Sequence, residues 1–209
     1  MQRQTVSTPY RQELRTRVLQ EATRQFHQKG IRAVKMDDIA VALAISKRTL
    51  YELFGNKEDL ALAVITQHHE EMNRLMSDFA SSNRSVIDIL VFFFRMNMDR
   101  DHDINPLFFE DMNKYPKLVK YFKELREERN REAKLFMQTG VEQGYFRKEF
   151  NYDLVVKMGE AIEQYFSRTH IHHLYGHKEV FATVAAVLFR GICTQKGLDT
   201  LEQHIKQYS

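Results

Sequence analysis

Apolar positions return at intervals of three and four along most of the chain, which is the period of an amphipathic helix. Over residues 10–29 they are Leu14, Val18, Ala22 and Phe26, and Gly30 ends the segment. Met36, Ile39, Ala40 and Leu43 then make one face of a short helix. After a break at Ala44 and Ile45, Ser46 is a residue type suited to capping a new helix, in which Leu50, Leu53 and Phe54 turn inward. At about 100° per residue Arg48, Tyr51 and Glu52 point the opposite way, with Lys47 and Thr49 on the flanks. Two short helices joined by a tight turn predict a helix-turn-helix.

The same pattern continues downstream. Gly55 and Asn56 make a turn, with Asn56 capping and Asp59 in an approximate capping box. The helix that follows reaches about residue 79 without Gly or Pro, rigid enough to transmit a rotation. Residues 86–98 form a further helix carrying Phe92, Phe93 and Phe94 in succession. Three adjacent aromatics cannot share one face, so protein, or protein and a cavity, must surround this segment. Asn105 and Pro106 start a short helix, and Pro116 a long one to about 144. Its middle, KELREERNREAK, reads as a solvated, ion-paired face. Helices over 152–171, 178–191 and, after Gly197, 198–208 complete an all-α fold. His170, His172, His173 and His177 fall around Gly176 in a polar loop, at a spacing that fits no standard ligand set, so no metal is expected.

Composition agrees, with only three prolines and eight glycines in 209 residues. Apolar runs such as 89–94 are far too short to span a bilayer, and the first residues lack the apolar core of a secretory signal, so a cytoplasmic location and no membrane partner are expected. A single cysteine, Cys193, excludes an internal disulfide and is expected as a buried small hydrophobe. The net charge of +3 is uneven: residues 1–60 carry 11 Lys and Arg against 7 Asp and Glu, and residues 61–209 carry 20 against 21. The positive balance lies with the helix-turn-helix, where Arg and Lys suit guanine edges or phosphates and the Thr and Tyr hydroxyls suit phosphate oxygens. Arg11, Arg15 and Arg17 in the first helix are either solvated or clamp phosphates.

The run from about Tyr10 to Leu60 resembles the N-terminal DNA-binding domain of the tetracycline-repressor-like (TetR) family of bacterial transcription regulators. The residues that carry the likeness are Leu19, Ala22, Phe26, Gly30, Met36, Ile39, Ala40, Ile45, Ser46, Thr49, Leu50, Tyr51, Phe54, Asn56, Lys57 and Leu60. Two positions depart: Ala44 stands where a turn glycine is usual, and Arg48 where a small residue is common. The resemblance implies a DNA-binding domain over 1–56 and a helical effector-binding and dimerisation domain over 57–209. It also implies a repressor that a small-molecule effector releases from a palindromic double-stranded DNA operator. The expected DNA contacts are Lys35, Met36, Ser46, Lys47, Arg48, Thr49, Tyr51 and Lys57, the last as a phosphate neighbour at the start of its helix.

From the residues themselves, aromatic density between Phe92 and Phe109 predicts an effector cavity with Phe93, Phe109 and Tyr165 as lining and Asn97 as a polar anchor. Residues 180–189 carry no charge and are apolar nearly all round. Such a helix must be buried on both sides, so a homodimer is expected through Val180, Ala182, Thr183, Ala186 and Val187. No glycine-rich phosphate loop, nucleophile motif or metal-binding pair of histidines on one helix is present; neither catalysis nor a cofactor is expected. The rival is a DNA-binding protein that has no effector, or whose second domain binds another protein.

Overall fold

The computed structural model describes residues 8–100, 104–169 and 172–206. The architecture is all-α, and caps written in the sequence set where many of the helices begin. α1 (Pro9–Lys29) opens behind Thr8 and ends at Gly30, whose φ of 80° lies in the left-handed region. α2 (Met36–Ala42) and α3 (Lys47–Phe54) follow. α4 (Lys57–Ala80) starts from the reciprocal pair expected of Asn56 and Asp59: the Asp59 N–H donates to Asn56 Oδ1 at 2.9 Å and Asn56 Nδ2 donates to Asp59 Oδ2 at 2.8 Å. α5 (Val86–Arg100) precedes α6 (Pro106–Met112), where Asn105 caps the Leu107 N–H at 3.0 Å. The remainder are α7 (Pro116–Glu142), α8 (Tyr152–Thr169), α9 (His172–Tyr175), α10 (His177–Ile192) and α11 (Gln195–Lys206).

The chain packs as two compact units, one from the described residues within 1–71 and 103–122 and the other from those within 72–102 and 123–209. In the first, Leu14, Val18, Ala22 and Phe26 of α1 share a core with Ile39, Leu50, Phe54, Leu60 and Phe108. α6 belongs to this unit. The Asn105 N–H donates to His27 O at 2.7 Å, and the Phe108 ring meets His27 edge-on at 4.7 Å. Gly30 is required twice over, because a Cβ there would lie 2.9 Å from Leu107 Cβ while holding a left-handed φ. This packing division is a different cut from the functional one expected at residue 56.

In the second unit Val86, Ile87, Met137, Phe146, Ile192 and Cys193 form the core. The run of phenylalanines is divided among neighbours: Phe92 stacks on Phe79 of α4 at 4.1 Å, while Phe94 sits 5.3 Å from Phe181 and 6.0 Å from Phe189 of α10. Cys193 is fully buried, and burial raises its thiol pKa, partly offset by Arg147. Two expectations need correction. α11 begins at Gln195 rather than 198, since the Thr194 hydroxyl accepts the Gly197 N–H at 3.2 Å and thereby caps the first turn. Gly197 is therefore inside the helix, where a Cβ would fall 2.4 Å from Tyr145 O; close approach, not chain termination, needs the glycine. The expected histidine loop contains the short helix α9. His170 and the side chains of His172, His173 and His177 lie outside the described residues.

Candidate nucleic-acid interface

Three local features fix the pose of α3. Ser46 accepts the Thr49 N–H at 3.0 Å and caps the N-terminus, and its hydroxyl also meets that of Thr49 at 2.8 Å. Leu50 and Phe54 are buried in the core. The carbonyl end is held from α1, where Arg11 donates to Glu52 O at 3.0 Å and Arg15 to Leu53 O at 3.3 Å, with the Arg15 guanidinium 4.4 Å from the Phe54 ring centroid. Two early arginines thus cap the end of the helix where cations favour the dipole. The turn between α2 and α3 does place Ala44 at φ 53°, the left-handed backbone for which a glycine is usual.

This anchoring leaves an outer face of Lys47, Arg48, Tyr51 and Glu52 in solvent. Arg48 is the most exposed of these cations, with 88% of its side chain accessible, and its Nε pairs with Glu52 at 2.8 Å. Lys47 pairs with Asp37 of α2 at 2.9 Å, and that carboxylate raises its pKa; the ammonium also lies 5.9 Å from the Tyr51 ring centroid. Exposed pairs of this kind are worth little, so a phosphate or a guanine edge can replace the carboxylate at small cost. Glu52 and Asp37 were not among the sequence-predicted residues. The i, i+4 spacing of Glu52 to Arg48 on one helix face was legible, whereas the contact of Asp37 with Lys47 across the turn was not.

The other predicted residues have distinct surroundings. Lys35 is exposed, and its N–H donates to Asp38 at 2.9 Å. The Met36 side chain is in the core at 5% exposure and does not share the outer face. Thr49 is half-buried beside Ser46. Lys57 turns back onto the loop between α1 and α2, donating to Arg32 O and Val34 O at 3.0 Å each. Burial lowers its pKa, with Asp111 opposing and Arg32 adding to the shift. The same loop is held from α6, because buried Asp111 accepts the Arg32 N–H at 2.7 Å and pairs with Lys114 at 2.9 Å. No feature of the sequence signalled Asp111.

In the second unit a cleft of about 360 Å³ opens among α5, α7, α8 and α10. Phe93 lines it, as do Met137, Val155, Leu188 and Phe189. Phe109 instead packs on Phe108, 5.5 Å away, against the first unit's core. Tyr165 is 55% exposed and is not part of the cleft lining, and the Asn97 side chain lies outside the described residues. The charged stretch of α7 is not wholly solvated, since Arg126, Arg129 and Asn130 line the cleft. A stripe of Arg126, Asn130, Ala133 and Met137 at helical spacing was visible but too polar to read as inward. On α10, Thr183, Ala186 and Val187 are exposed, Val180 and Ala182 half-buried, and Ala185 buried on the other side. Among the described residues no cluster of His, Cys, Asp and Glu is placed to hold a metal ion, and no helix is long and apolar enough to cross a membrane.

Residues 18–64 match the model of the bacterial regulatory proteins of the tetR family. The HTH-type transcriptional regulator YvaF of Bacillus subtilis is 42% identical over 62 residues, which span 30% of this chain and about a third (32%) of that relative. The HTH-type transcriptional repressor KstR2 of Mycobacterium tuberculosis is 22% identical over 148 residues, 68% of this chain and 74% of its own. The KstR2 structure, described as a ketosteroid transcriptional regulator, superposes with a TM-score of 0.59, covering 91% of this chain and 98% of its own at 19% identity. A protein from Saccharomonospora viridis solved in complex with choline gives a TM-score of 0.70 at 19% identity, over 88% of this chain and 100% of its own. The capped helix-turn-helix lies within the segment that matches the tetR family model, and the fold across most of the chain is like that of these two solved regulators: residues 18–64 carry a helix-turn-helix segment of the kind found in the tetR family of bacterial regulatory proteins.

Proposed function

We propose that the protein is a homodimeric repressor that sits on a palindromic operator and is released by a small-molecule effector. The observation that carries this reading is the outward face of α3, where Lys47, Arg48 and Tyr51 stand in solvent on a helix capped at both ends and anchored by Leu50 and Phe54. Arg48 reads base edges, and Lys47, Thr49 and Tyr51 contact phosphates, with Lys35 and the loop held by Lys57 alongside. Residues 1–56 form the DNA-binding domain and 57–209 the effector-binding and dimerisation domain. The effector occupies the cleft lined by Phe93, and the dimer forms through α8 and α10. The protein acts in the cytoplasm, without catalysis. YvaF and KstR2 support the regulatory role, and the repressor name of KstR2 supports its sign.

Selecting bound sequences from random duplex DNA with the purified chain tests the reading. A palindromic consensus is the expected result, and no enrichment over the starting pool would overturn it. Arg48→Ala is expected to lose roughly 5- to 150-fold in affinity and to relax the consensus at particular base pairs. An unchanged consensus and affinity would remove Arg48 from base reading.

A further inference from the structure

The cleft among α5, α7, α8 and α10 has an apolar lining of Phe93, Met137, Leu188 and Phe189 and one polar group with incomplete hydrogen bonding. Most of its polar lining is paired internally: Arg129 bonds Glu163 at 3.5 Å, and Asn130 bonds Glu160. Arg126 differs, because its Nε is buried and has no acceptor among the described residues. A buried guanidinium N–H without an acceptor carries its desolvation cost uncompensated. An oxyanion seated against the Nε edge would supply two parallel acceptors, the geometry for which a guanidinium is suited.

The α8 wall adds a second observation. Gly159 stands inside a helix, where glycine is destabilising, yet a Cβ built there meets nothing within 4 Å. Close packing does not require the glycine; its missing side chain leaves room in the cleft. A volume of about 360 Å³ lies at the small end of the range for small-molecule sites.

We propose that this cleft binds a compact amphipathic carboxylate, with its apolar body on Phe93, Leu188 and Phe189 and its carboxylate on Arg126. Of the two lining cations Arg129 is paired with Glu163 and Arg126 is not, so a monoanion suits Arg126, whereas a phosphate dianion would add a further negative charge beside the lining carboxylates Glu160 and Glu163. The assignment deepens the effector reading above and rests on it for its regulatory meaning only.

The test is calorimetric titration of the full chain with octanoate, 4-phenylbutyrate, octyl phosphate, 1-octanol and octyltrimethylammonium. The two carboxylates are expected to bind saturably, about tenfold or more tighter than octanol and octyl phosphate. Arg126→Gln should weaken the carboxylates by about tenfold while leaving octanol unchanged. Gly159→Leu should abolish binding by filling the cleft. Helical content and affinity for the selected duplex, measured without ligand, check that both variants are folded. Saturable binding by no probe, a preference for the cation, a phosphate as tight as the carboxylate, or indifference to Arg126→Gln would each overturn the assignment. Arg126-dependent octanoate binding without any change in duplex affinity would leave the ligand class standing and remove the effector role. Release of the duplex by another compound, equal in Arg126→Gln, would do the reverse.

Discussion

Ala44 pays for the shape of the helix-turn-helix. A residue with a Cβ loses about 1–2 kcal/mol in the left-handed region, and glycine returns part of that gain through its freedom in the unfolded chain. With φ at 53°, Ala44→Gly is expected to stabilise the protein by about 0.5–1 kcal/mol, read as a higher urea midpoint at an unchanged slope. An unchanged or lower midpoint would mean that the turn relaxes at no cost with alanine in place. The two lysines near the interface separate binding from folding. Lys47 is exposed, with Asp37 and the Tyr51 ring as its neighbours, so Lys47→Ala should reduce the salt slope of duplex binding by about one and change stability little. Lys57 donates to two backbone carbonyls of the loop that positions α2. Lys57→Ala should therefore cost about 1 kcal/mol of stability as well as affinity. If the two variants behaved alike in urea unfolding and in salt dependence, the structural role of Lys57 would be wrong.

Between α5 and α11 the docking depends on ionisation. Burial alone would raise the pKa of Asp88, but hydrogen bonds from the Ser85 hydroxyl at 2.7 Å and N–H at 2.8 Å, with His204 and Arg84 nearby, outweigh it and hold the carboxylate below its usual range. His204 of α11 reaches the same carboxylate at 2.9 Å. A carboxylate depressed on folding contributes stability above its unfolded pKa, and that contribution is lost as pH falls through the lower folded value. Asp88→Asn should thus be less stable than the parent at neutral pH, with the gap closing as the solution becomes acid; a gap constant from neutral to acid pH would contradict this. The caps on which α3, α4 and α6 start were legible in the sequence, because Ser46, Asn56 and Asn105 act on the backbone within three residues of themselves. Contacts distant in sequence were not. Gly197 resembled a helix end because its actual constraint, the Tyr145 carbonyl, comes from a turn some fifty residues earlier. Arg126 resembled solvated surface because the cleft it lines is closed by α8 and α10, and Asp111 gave no sign that it would bind the loop before α2. The outer face of α3 was readable for the opposite reason: it stands in solvent, so local periodicity alone locates it.

A single chain leaves an apolar stripe uncovered on α8 and α10. Leu154 is 57% exposed, Met158 48% and Tyr165 55%, on one face of α8 at helical spacing, and Val187 of α10 is 69% exposed beside Ala186 and Thr183. The opposite faces of both helices are in use, for Val155 and Gly159 line the cleft and Ala185 is buried. Large apolar side chains exposed at helical spacing on each of these helices are what an interaction site would cover. The small residues Thr183 and Ala186 would let a partner helix approach closely, and packing two such helices from each of two copies gives an isologous four-helix contact. A palindromic operator also offers two half-sites, which one helix-turn-helix cannot occupy together. Ala186→Glu places a charge at the centre of that contact, where it would be buried without a partner in the dimer and solvated in the monomer. The substitution is expected to convert the protein to a monomer in sedimentation equilibrium, with helical content retained, and to reduce operator binding to the level of a single half-site. Ala161→Glu on α8 should act in the same way, while Glu179→Lys on the charged first turn of α10 should be tolerated better. A parent chain that sediments as a monomer at micromolar concentration would show that this stripe has another occupant and that each half-site is bound independently.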